Sequence, residues 1–520
     1  MTLSILIWLP LVAGVLCAIW GEAAPRVAPR IALLGTLAAL GVAISFVVRF
    51  DTGGGMQFVT DRSWISTLGI SYSLGLDGLN LVLVLLTTVL FAGATLMASL
   101  RSDWERPSQL YLWLLAGETA VLGAFCAQDL ILFVAFFDLM LIPFYFLTGI
   151  WGAGERPERV RATTKLVIYT LVGSLLMLAA AVATGVLTAQ QHNTDLTFSL
   201  AALARAPLST GSQEWIFLCF AAAFLVKMPA FPVHGWLPDG YRTMPLPALA
   251  AFSGVVSKVA AYGFLRIVLP VFPDASVHFQ ELLLLIAVAS ILYGSAMAFS
   301  TTNARLVVGF SSVAQMGFIT LGIFALNQDG VQGALLQMIN HGLVTLPLFF
   351  IVGLLAARAG GSEDLRDMGG IAFRAPVLAS LFLIVGLATL AMPGSANFVG
   401  EFLILLGAFK AKVVFAFVAA VGVAMASVYV LRAFIRAMHN RVGPSVDSRE
   451  VTMGDLAVLA PIVLVILALA LYPQFGLKRS EPAAKAAVFP VLAASNGGIT
   501  AGLDVPRGST AYAPIDRDTP

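Results

Sequence analysis

The chain has 520 residues, of which 59% are hydrophobic and only 11% are charged, and its formal net charge is +2. Soluble domains carry about 25% charged residues, so this composition indicates a polytopic membrane protein surrounded by a lipid bilayer. The near-neutral charge is unlike that of a nucleic-acid-binding surface. The three cysteines form no CxxC pair, so no disulfide framework, metal site or iron–sulfur ligation is indicated.

Fourteen apolar runs have the length needed to cross a membrane, about 17–25 residues each. Backbone polar groups must be satisfied inside a bilayer, so each run is predicted to be a helix and the fold to be all-α. The first run lacks a positive n-region and a cleavage site, and is interpreted as a retained span. In chain order the runs are 2–20, 30–49, 78–100, 109–127, 129–151, 162–188, 214–238, 248–270, 277–300, 304–326, 330–357, 373–406, 411–438 and 452–472.

Two of these spans contain an internal break. Helix 7 is predicted to break at Met228-Pro229 and helix 12 at Met392-Pro393, because proline removes a backbone donor. Interrupted helices at matching positions are typical of transporters built from repeats, with binding sites at the breaks. The offset of five helices is odd, so two such units would have opposite topologies, which is the inverted-repeat arrangement.

Loop charges predict the orientation of the chain. Lys and Arg are concentrated in the odd-numbered loops, so the positive-inside rule places those loops in the cytoplasm and both termini outside. The segment 477–520 contains five prolines with scattered Gly and Ser. It is predicted to be an extended or disordered outward-facing tail, and not a long continuous helix.

Few ionisable groups fall inside the predicted spans, and a lysine at that depth costs about 3 kcal/mol or more. They occur about one to a helix, which predicts a lateral polar row rather than a compact metal site. The groups, with one polar side chain at similar depth, are Glu118, Asp138, Lys227, His234, Lys258, Arg266, Gln315, His341 and Glu401.

Lys227 and Asp138 are interpreted as a pair that handles a proton. Lys227 directly precedes the break in helix 7, and Asp138 lies in a run that is otherwise apolar. A buried lysine can release its proton, whereas arginine stays protonated. A neighbouring carboxylate would control that release through its distance from the ammonium. The alternative is a structural ion pair.

Three further groups are predicted to extend the relay. Lys258 lies about ten residues from either end of its span, too far to reach the membrane surface. His341 is either a satisfied core residue or a relay group, since an ordinary histidine titrates near about pH 6.5. Glu401 follows the break in helix 12 and is either a helix-end carboxylate or a relay group.

The remaining groups are weaker candidates. Glu118 and His234 fit a structural role and a functional role about equally well. Arg266 lies near the end of its span and is interpreted as structural or lipid-facing.

Several motifs carry a family resemblance: Lys227-MPAFPVHGWLPDGYRTM-Pro245, Ser257-KVAAYGFL-Arg266, Asp77-GLN, Ser311-SVAQMGF, Gln337-MINHGL and Met392-PGSANFVGEF. With these motifs the chain resembles the antiporter-like subunits of respiratory complex I, which are related to the large subunits of Mrp-type antiporters. In having an acid at position 401, Glu401, the chain resembles the subunit M branch of this family. The other branches typically carry lysine at that position. Family members usually have glutamate where this chain has Asp138 and histidine where it has Gln315. Glutamine cannot hold the extra proton, so water would have to carry a proton past it.

The resemblance implies about fourteen transmembrane helices, with helices 4–8 and 9–13 as the two inverted repeats and helices 7 and 12 broken. The corresponding divisions are 1–108 for helices 1–3, 109–270 and 271–440 for the repeats, 441–476 for the last helix and 477–520 for the tail.

The resemblance also implies a function. The chain would be a proton-translocating membrane-arm subunit of a bacterial inner-membrane NADH:quinone oxidoreductase, with subunits L and N as neighbours. No cofactor is expected in this chain; NADH, FMN, iron–sulfur clusters and quinone would lie in partner subunits. Asp138 and Lys227 would form the switch, Lys258 and His341 would pass the proton and Glu401 would be its terminal carrier, with Glu118, His234 and Gln315 secondary. The alternative is a subunit of an Mrp-type cation/proton antiporter.

Overall fold

The computed structural model describes residues 2–21, 26–101 and 103–495. Within these ranges, twelve helical segments are long and apolar enough to cross a membrane. The prediction of a mostly helical polytopic membrane protein is therefore confirmed. The count of fourteen spans and the inverted repeats stay predictions.

The first half of the chain contains one β-hairpin and a series of helices. Its strands are β1 (Gln57–Ile65) and β2 (Ile70–Leu76). Its helices are α1 (Leu3–Gly21), α2 (Ala28–Arg49), α3 (Leu81–Ser99), α4 (Pro107–Cys126), α5 (Leu130–Leu139), α6 (Leu141–Trp151), α7 (Arg156–His192), α8 (Leu200–Arg205), α9 (Thr210–Lys227), α10 (Leu237–Thr243), α11 (Leu246–Ala251), α12 (Ser257–Gly263), α13 (Leu269–Val271) and α14 (Pro273–His278).

All long secondary-structure elements in the described second half are helices. Its helices are α15 (Gln280–Ser300), α16 (Ala304–Phe324), α17 (Gln328–Arg358), α18 (Pro376–Thr389), α19 (Ala396–Ala411), α20 (Val413–Met438), α21 (Met453–Leu471) and α22 (Gln474–Ser495). Short 3₁₀ turns occupy Ser66–Leu68 and Ile371–Phe373.

Both helix breaks occur where the prolines predict them. Helix α9 ends at Lys227, and helical structure resumes only at Leu237. Helix α18 ends at Thr389, and α19 begins at Ala396. A helix end leaves several backbone groups without intrahelical partners. The first break begins among buried residues at 228–230, whereas residues 392–394 of the second break are exposed.

The segment that carries Lys258 departs from regular α-helix. Two five-residue π-helical turns, Phe252–Val256 and Phe264–Val268, flank α12. Such turns change the hydrogen-bonding register of a helix and are frequent at functional sites. The whole span from α11 to α13 is buried within the bundle, as is α16. By contrast, only about a third of α20 and of α21 is buried.

Two elements differ from the sequence-based predictions. The antiparallel hairpin β1–β2 lies between α2 and α3, where a search for long apolar runs assigns no structure. The predicted extended tail is wrong for residues 477–495, which form most of α22. Residues 496–520 lie outside the described ranges.

Packing explains why α22 forms despite Pro482 and Pro490. Its buried residues recur at helical spacing, and they contact α13, α14 and α17. Half of them are alanine, the residue with the highest helix propensity. The burial of this stripe and the alanine content outweigh the loss of two backbone donors. The buried residues are Gly476, Ser480, Ala483, Ala484, Ala486, Ala487, Val488 and Val491.

Glycines let α17 and α19 approach closely. A Cβ atom added at Gly407 would lie 2.4 Å from the backbone nitrogen of Gly330. Similar contacts occur at Gly333, whose added Cβ would lie 2.6 Å from the nitrogen of Ile404. Small residues permit such helix contacts in membranes. This contact holds α19, and with it Glu401, against α17.

We expect Gly407→Ala to destabilise the protein by about 1–3 kcal/mol, because the methyl group meets backbone that cannot move aside. The measurement is the thermal unfolding temperature of the purified protein in detergent. Gly41→Ala is the matched control, since an added Cβ there meets nothing within 4 Å. Equal unfolding temperatures for the two variants would contradict the close approach of α17 and α19.

Candidate functional site

The break after α9 places Lys227 against α5. The lysine side chain is only 4% exposed, and its Nζ donates a hydrogen bond to the backbone oxygen of Phe137 at 3.1 Å. The same ammonium lies 4.2 Å from the centroid of the Phe137 ring. A desolvated cation over an aromatic face gains a favourable electrostatic interaction. A backbone carbonyl and a ring therefore solvate this buried charge.

Asp138 is the next residue along α5, but it does not hold the ammonium directly. The two side chains interact electrostatically, and Asp138 also lies beside Ser174 of α7. Within the described part of the chain, no salt bridge joins Asp138 to Lys227, and the Oδ1 of Asp138 has no hydrogen-bond partner. The structure thus places the predicted pair near each other without direct contact.

Lys258 is fully buried on α12. Its Nζ donates a 2.6 Å hydrogen bond to the backbone oxygen of Ser253, which lies in the first π-helical turn. The hydroxyl of Ser253 is 3.3 Å from that of Ser312 on α16. His341 of α17 is 3% exposed and lies within electrostatic range of Lys258. Lys258 therefore lies near polar groups of both α16 and α17.

Glu401 is the centre of a buried polar cluster formed by α16, α17 and α19. Gln315 donates from Nε2 to Oε1 of Glu401 at 2.7 Å. Gln337 donates from Nε2 to Oε1 of Gln315 at 2.6 Å and reaches Glu401 at 3.4 Å. The arrangement gives Gln315 a role as hydrogen-bond donor to the carboxylate. Gln337 was not predicted, although its position one helical turn before His341 on an apolar helix was a usable signal.

The other two secondary candidates, Glu118 and His234, lie apart from these contacts. Glu118 of α4 is fully buried, and neither of its carboxylate oxygens has a hydrogen-bond partner among the described residues. His234 lies in the broken segment, where its ring packs against Phe231 and Tyr293 with centroids 5.8 and 4.6 Å away. Both side chains are therefore set apart from the hydrogen bonds that Lys227, Lys258 and Glu401 make.

Arg266 corrects one sequence-based interpretation. Its side chain is 1% exposed, so a lipid-facing position is wrong. It forms a 2.5 Å salt bridge with Asp77, and its Nε donates to the hydroxyl of Tyr262 at 2.9 Å. Removing one partner of a buried pair typically costs about 3–5 kcal/mol, so the role of this pair is structural in the first instance. In the sequence, Asp77 stood out only as part of a motif.

The geometry defines a class of protein. Titratable groups that are buried, or half-buried in the case of Asp138, lie on α5, α9, α12, α17 and α19 of a membrane bundle. Those on α9 and α19 lie near the two helix breaks. A family model described as "NADH:quinone oxidoreductase/Mrp antiporter, TM" matches residues 127–427. The chain is therefore an antiporter-like membrane protein.

Similar proteins narrow that class. The chain is 36% identical over 492 residues to NADH-quinone oxidoreductase subunit M of Rhodobacter capsulatus, covering 91% of this chain and 93% of that protein. A chain in the structure of respiratory complex I from Thermus thermophilus with bound NADH has a TM-score of 0.86 and 30% identity, covering 94% of this chain and all of that one. The chain belongs to the NADH-quinone oxidoreductase subunit M family.

A more distant structure shares the fold. A chain of the Mrp complex from Dietzia sp. DQ12-45-1b has a TM-score of 0.80 at 21% identity, covering 96% of this chain and 100% of that chain. This likeness concerns the architecture alone. It agrees with the antiporter-like class and does not separate the two functions that the sequence leaves open.

Proposed function

We propose that this chain translocates protons as a membrane-arm subunit of an NADH:quinone oxidoreductase, along the series Asp138, Lys227, Lys258, His341 and Glu401. The observation that carries this proposal is the placement of one titratable group on each of five helices, of which four are buried and Asp138 is half-buried. Buried ionisable residues in membrane spans are costly and mark ion or proton pathways. Arginine at these positions would remain charged, whereas lysine, histidine and acids exchange protons.

Unpartnered polar atoms support a hydrated connection between His341 and Glu401. Within the described residues, Asn397 of α19 has no hydrogen-bond partner at either side-chain atom, and neither has Nδ1 of His341 or Oδ1 of Asn340. Buried polar groups normally bond to protein or to ordered water. We infer that water bonds to these atoms and carries protons along α17 and α19, past Gln315.

Other subunits would complete the proposed NADH:quinone oxidoreductase complex. They would hold the redox cofactors, namely NADH, FMN, iron–sulfur clusters and quinone, and subunits L and N would be the neighbours of this chain. Both termini would face the outer side of a bacterial inner membrane, as the loop charges indicate.

The proposal is tested with the purified complex reconstituted into liposomes. NADH and a soluble quinone should drive proton movement that a pH-sensitive dye records and a protonophore abolishes. The alternative is a subunit of an Mrp-type cation/proton antiporter, whose fold this chain shares. Proton movement driven by a sodium or potassium gradient without NADH would support the antiporter and overturn the proposal.

Asp138 provides a test of charge against packing. We expect Asp138→Glu to preserve proton pumping, because the carboxylate is kept and the chain is lengthened by one methylene. Asp138→Asn should lose most of it, because an amide cannot shift the proton affinity of Lys227 as a carboxylate does. The measurement is dye-detected acidification for each NADH oxidised. Equal loss in both variants would indicate a packing role instead.

A further inference from the structure

An apolar cleft of about 310 Å³ lies between α3, α17, α21 and the first turn of α22. Its walls include Val82, Leu86, Leu343 and Val465. Val465 of α21 is exposed, so the cleft is open towards the hydrocarbon region that surrounds the spans. The volume is at the lower end of the range for ligand pockets, about 300–1,000 Å³. Apart from the hydroxyl of Tyr472, the cleft offers its occupant no polar side chain.

One end of the cleft is cationic. Phe475 forms part of the wall, and the guanidinium of Arg479 lies 4.3 Å from the centroid of its ring. The Nη1 of Arg479 donates to the backbone oxygen of Phe475 at 3.0 Å, which fixes the guanidinium beside the cleft. Lys478 is exposed next to it.

The nearest acid on α22 does not cancel this charge. Glu481 forms a 2.9 Å salt bridge with Lys485, one turn further along the helix. The pair Lys478 and Arg479 therefore leaves a net positive charge at the end of the cleft. Arginine and lysine both bind phosphate, arginine often through two parallel hydrogen bonds.

Tyr472 marks the depth of this end in the membrane. It lines the cleft, is 57% exposed, and directly follows the end of α21. Tyrosine is enriched at the level of lipid headgroups, where its ring is apolar and its hydroxyl is hydrated. The cleft thus has an apolar body at the depth of acyl chains and two cations at the depth of phosphates.

We propose that this cleft binds an anionic phospholipid, with one acyl chain along α3 and α21 and the headgroup phosphate on Arg479 and Lys478. The apolar length and the positive end match the two parts of such a lipid. The bound lipid would connect α22 to the transmembrane bundle.

The test uses phosphatidylglycerol that carries a diazirine on one acyl chain, added to the purified complex in detergent and photolysed. Mass spectrometry should find labelled peptides from 82–89 and 465–475. Ala468→Trp, which fills the cleft from an exposed wall position, should remove this labelling. Arg479→Gln should reduce it about fivefold, the effect of one basic residue near an anionic lipid.

Controls separate the site from general lipid contact. Arg432 stacks on Phe299 at 4.7 Å in a similar way, but away from the cleft, so Arg432→Gln should keep full labelling. The same diazirine chain on phosphatidylcholine should label more weakly. Unchanged labelling in both cleft variants would overturn the proposal, as would the absence of label because a neighbouring subunit fills the cleft. Arg479→Gln alters no wall residue, so it remains informative if Ala468→Trp fails to assemble.

Discussion

Replacing Lys227 by alanine should reduce proton pumping by about a hundredfold or more, the usual contribution of a positioned proton-transfer group. The lysine is buried, and its ammonium bonds to the backbone oxygen of Phe137. Alanine leaves no titratable group at the break after α9, so the proposed series is interrupted there. The measurement is dye-detected proton movement by the reconstituted complex during NADH oxidation.

Two further variants show which property of Lys227 matters. Lys227→Arg keeps the positive charge, but arginine cannot release a proton, so this variant should also lose proton pumping. Lys410→Ala removes a lysine that is exposed and paired with Asp329 at 2.5 Å, and it should leave pumping intact. Normal pumping by Lys227→Arg would mean that the site requires a fixed charge and not a proton carrier.

Glu401→Gln should produce the second large effect, again a loss of about a hundredfold or more in proton pumping. Glutamine is nearly the same size as glutamate, so the packing of α19 against α17 should survive. The glutamine side chain cannot carry a proton. Only one of its two terminal atoms, the amide oxygen, can still accept the hydrogen bond from Gln315. Proton movement and the unfolding temperature together separate lost chemistry from lost structure.

A surface carboxylate is the matched control for Glu401. Glu281 is exposed and pairs with Lys412 at 2.7 Å, so Glu281→Gln should leave pumping unchanged. Glu401→Asp keeps the acid and should retain part of the activity. If Glu401→Gln pumps as well as the unmodified complex, the proton does not pass through this carboxylate.

The membrane class and the helix breaks could be predicted because single residues and their immediate neighbours encode them. Apolar runs indicate spans directly. Proline after Met228 and after Met392 ends a helix by its own chemistry, and helices do end near both positions. The buried charges were also visible, because Lys227, Lys258 and Glu401 contrast with apolar neighbours.

Partnerships between side chains could not be predicted in the same way. The hydrogen bonds among Gln315, Gln337 and Glu401 depend on how α16, α17 and α19 rotate about their axes. The salt bridge of Arg266 with Asp77 depends on how the start of α3 packs against the span after α12. Neither arrangement is set by residues close in sequence.

The helix α22 shows a different limit. Five prolines with scattered Gly and Ser suggested an extended tail over 477–520. Two of these prolines lie in α22, where helix propensity and packing against α17 compete with the proline penalty. Local sequence propensities include the effect of the prolines but not the effect of contacts that form only after folding. The π-helical turns beside Lys258 likewise leave no recognisable pattern in the sequence.

Both lysines of the proposed relay donate hydrogen bonds to main-chain oxygens, Lys227 to that of Phe137 and Lys258 to that of Ser253. A substitution scan cannot delete a carbonyl, so at Phe137 it would detect only the loss of the ring and at Ser253 only the loss of the hydroxyl, and it would miss both acceptors. Changes in chain length are different. Deleting one residue from Phe252–Val256 would convert the π turn to an α turn and would change the hydrogen-bonding register in which the backbone oxygen of Ser253 accepts from Lys258. Insertions and deletions can therefore disrupt these main-chain acceptors, which side-chain substitutions leave in place.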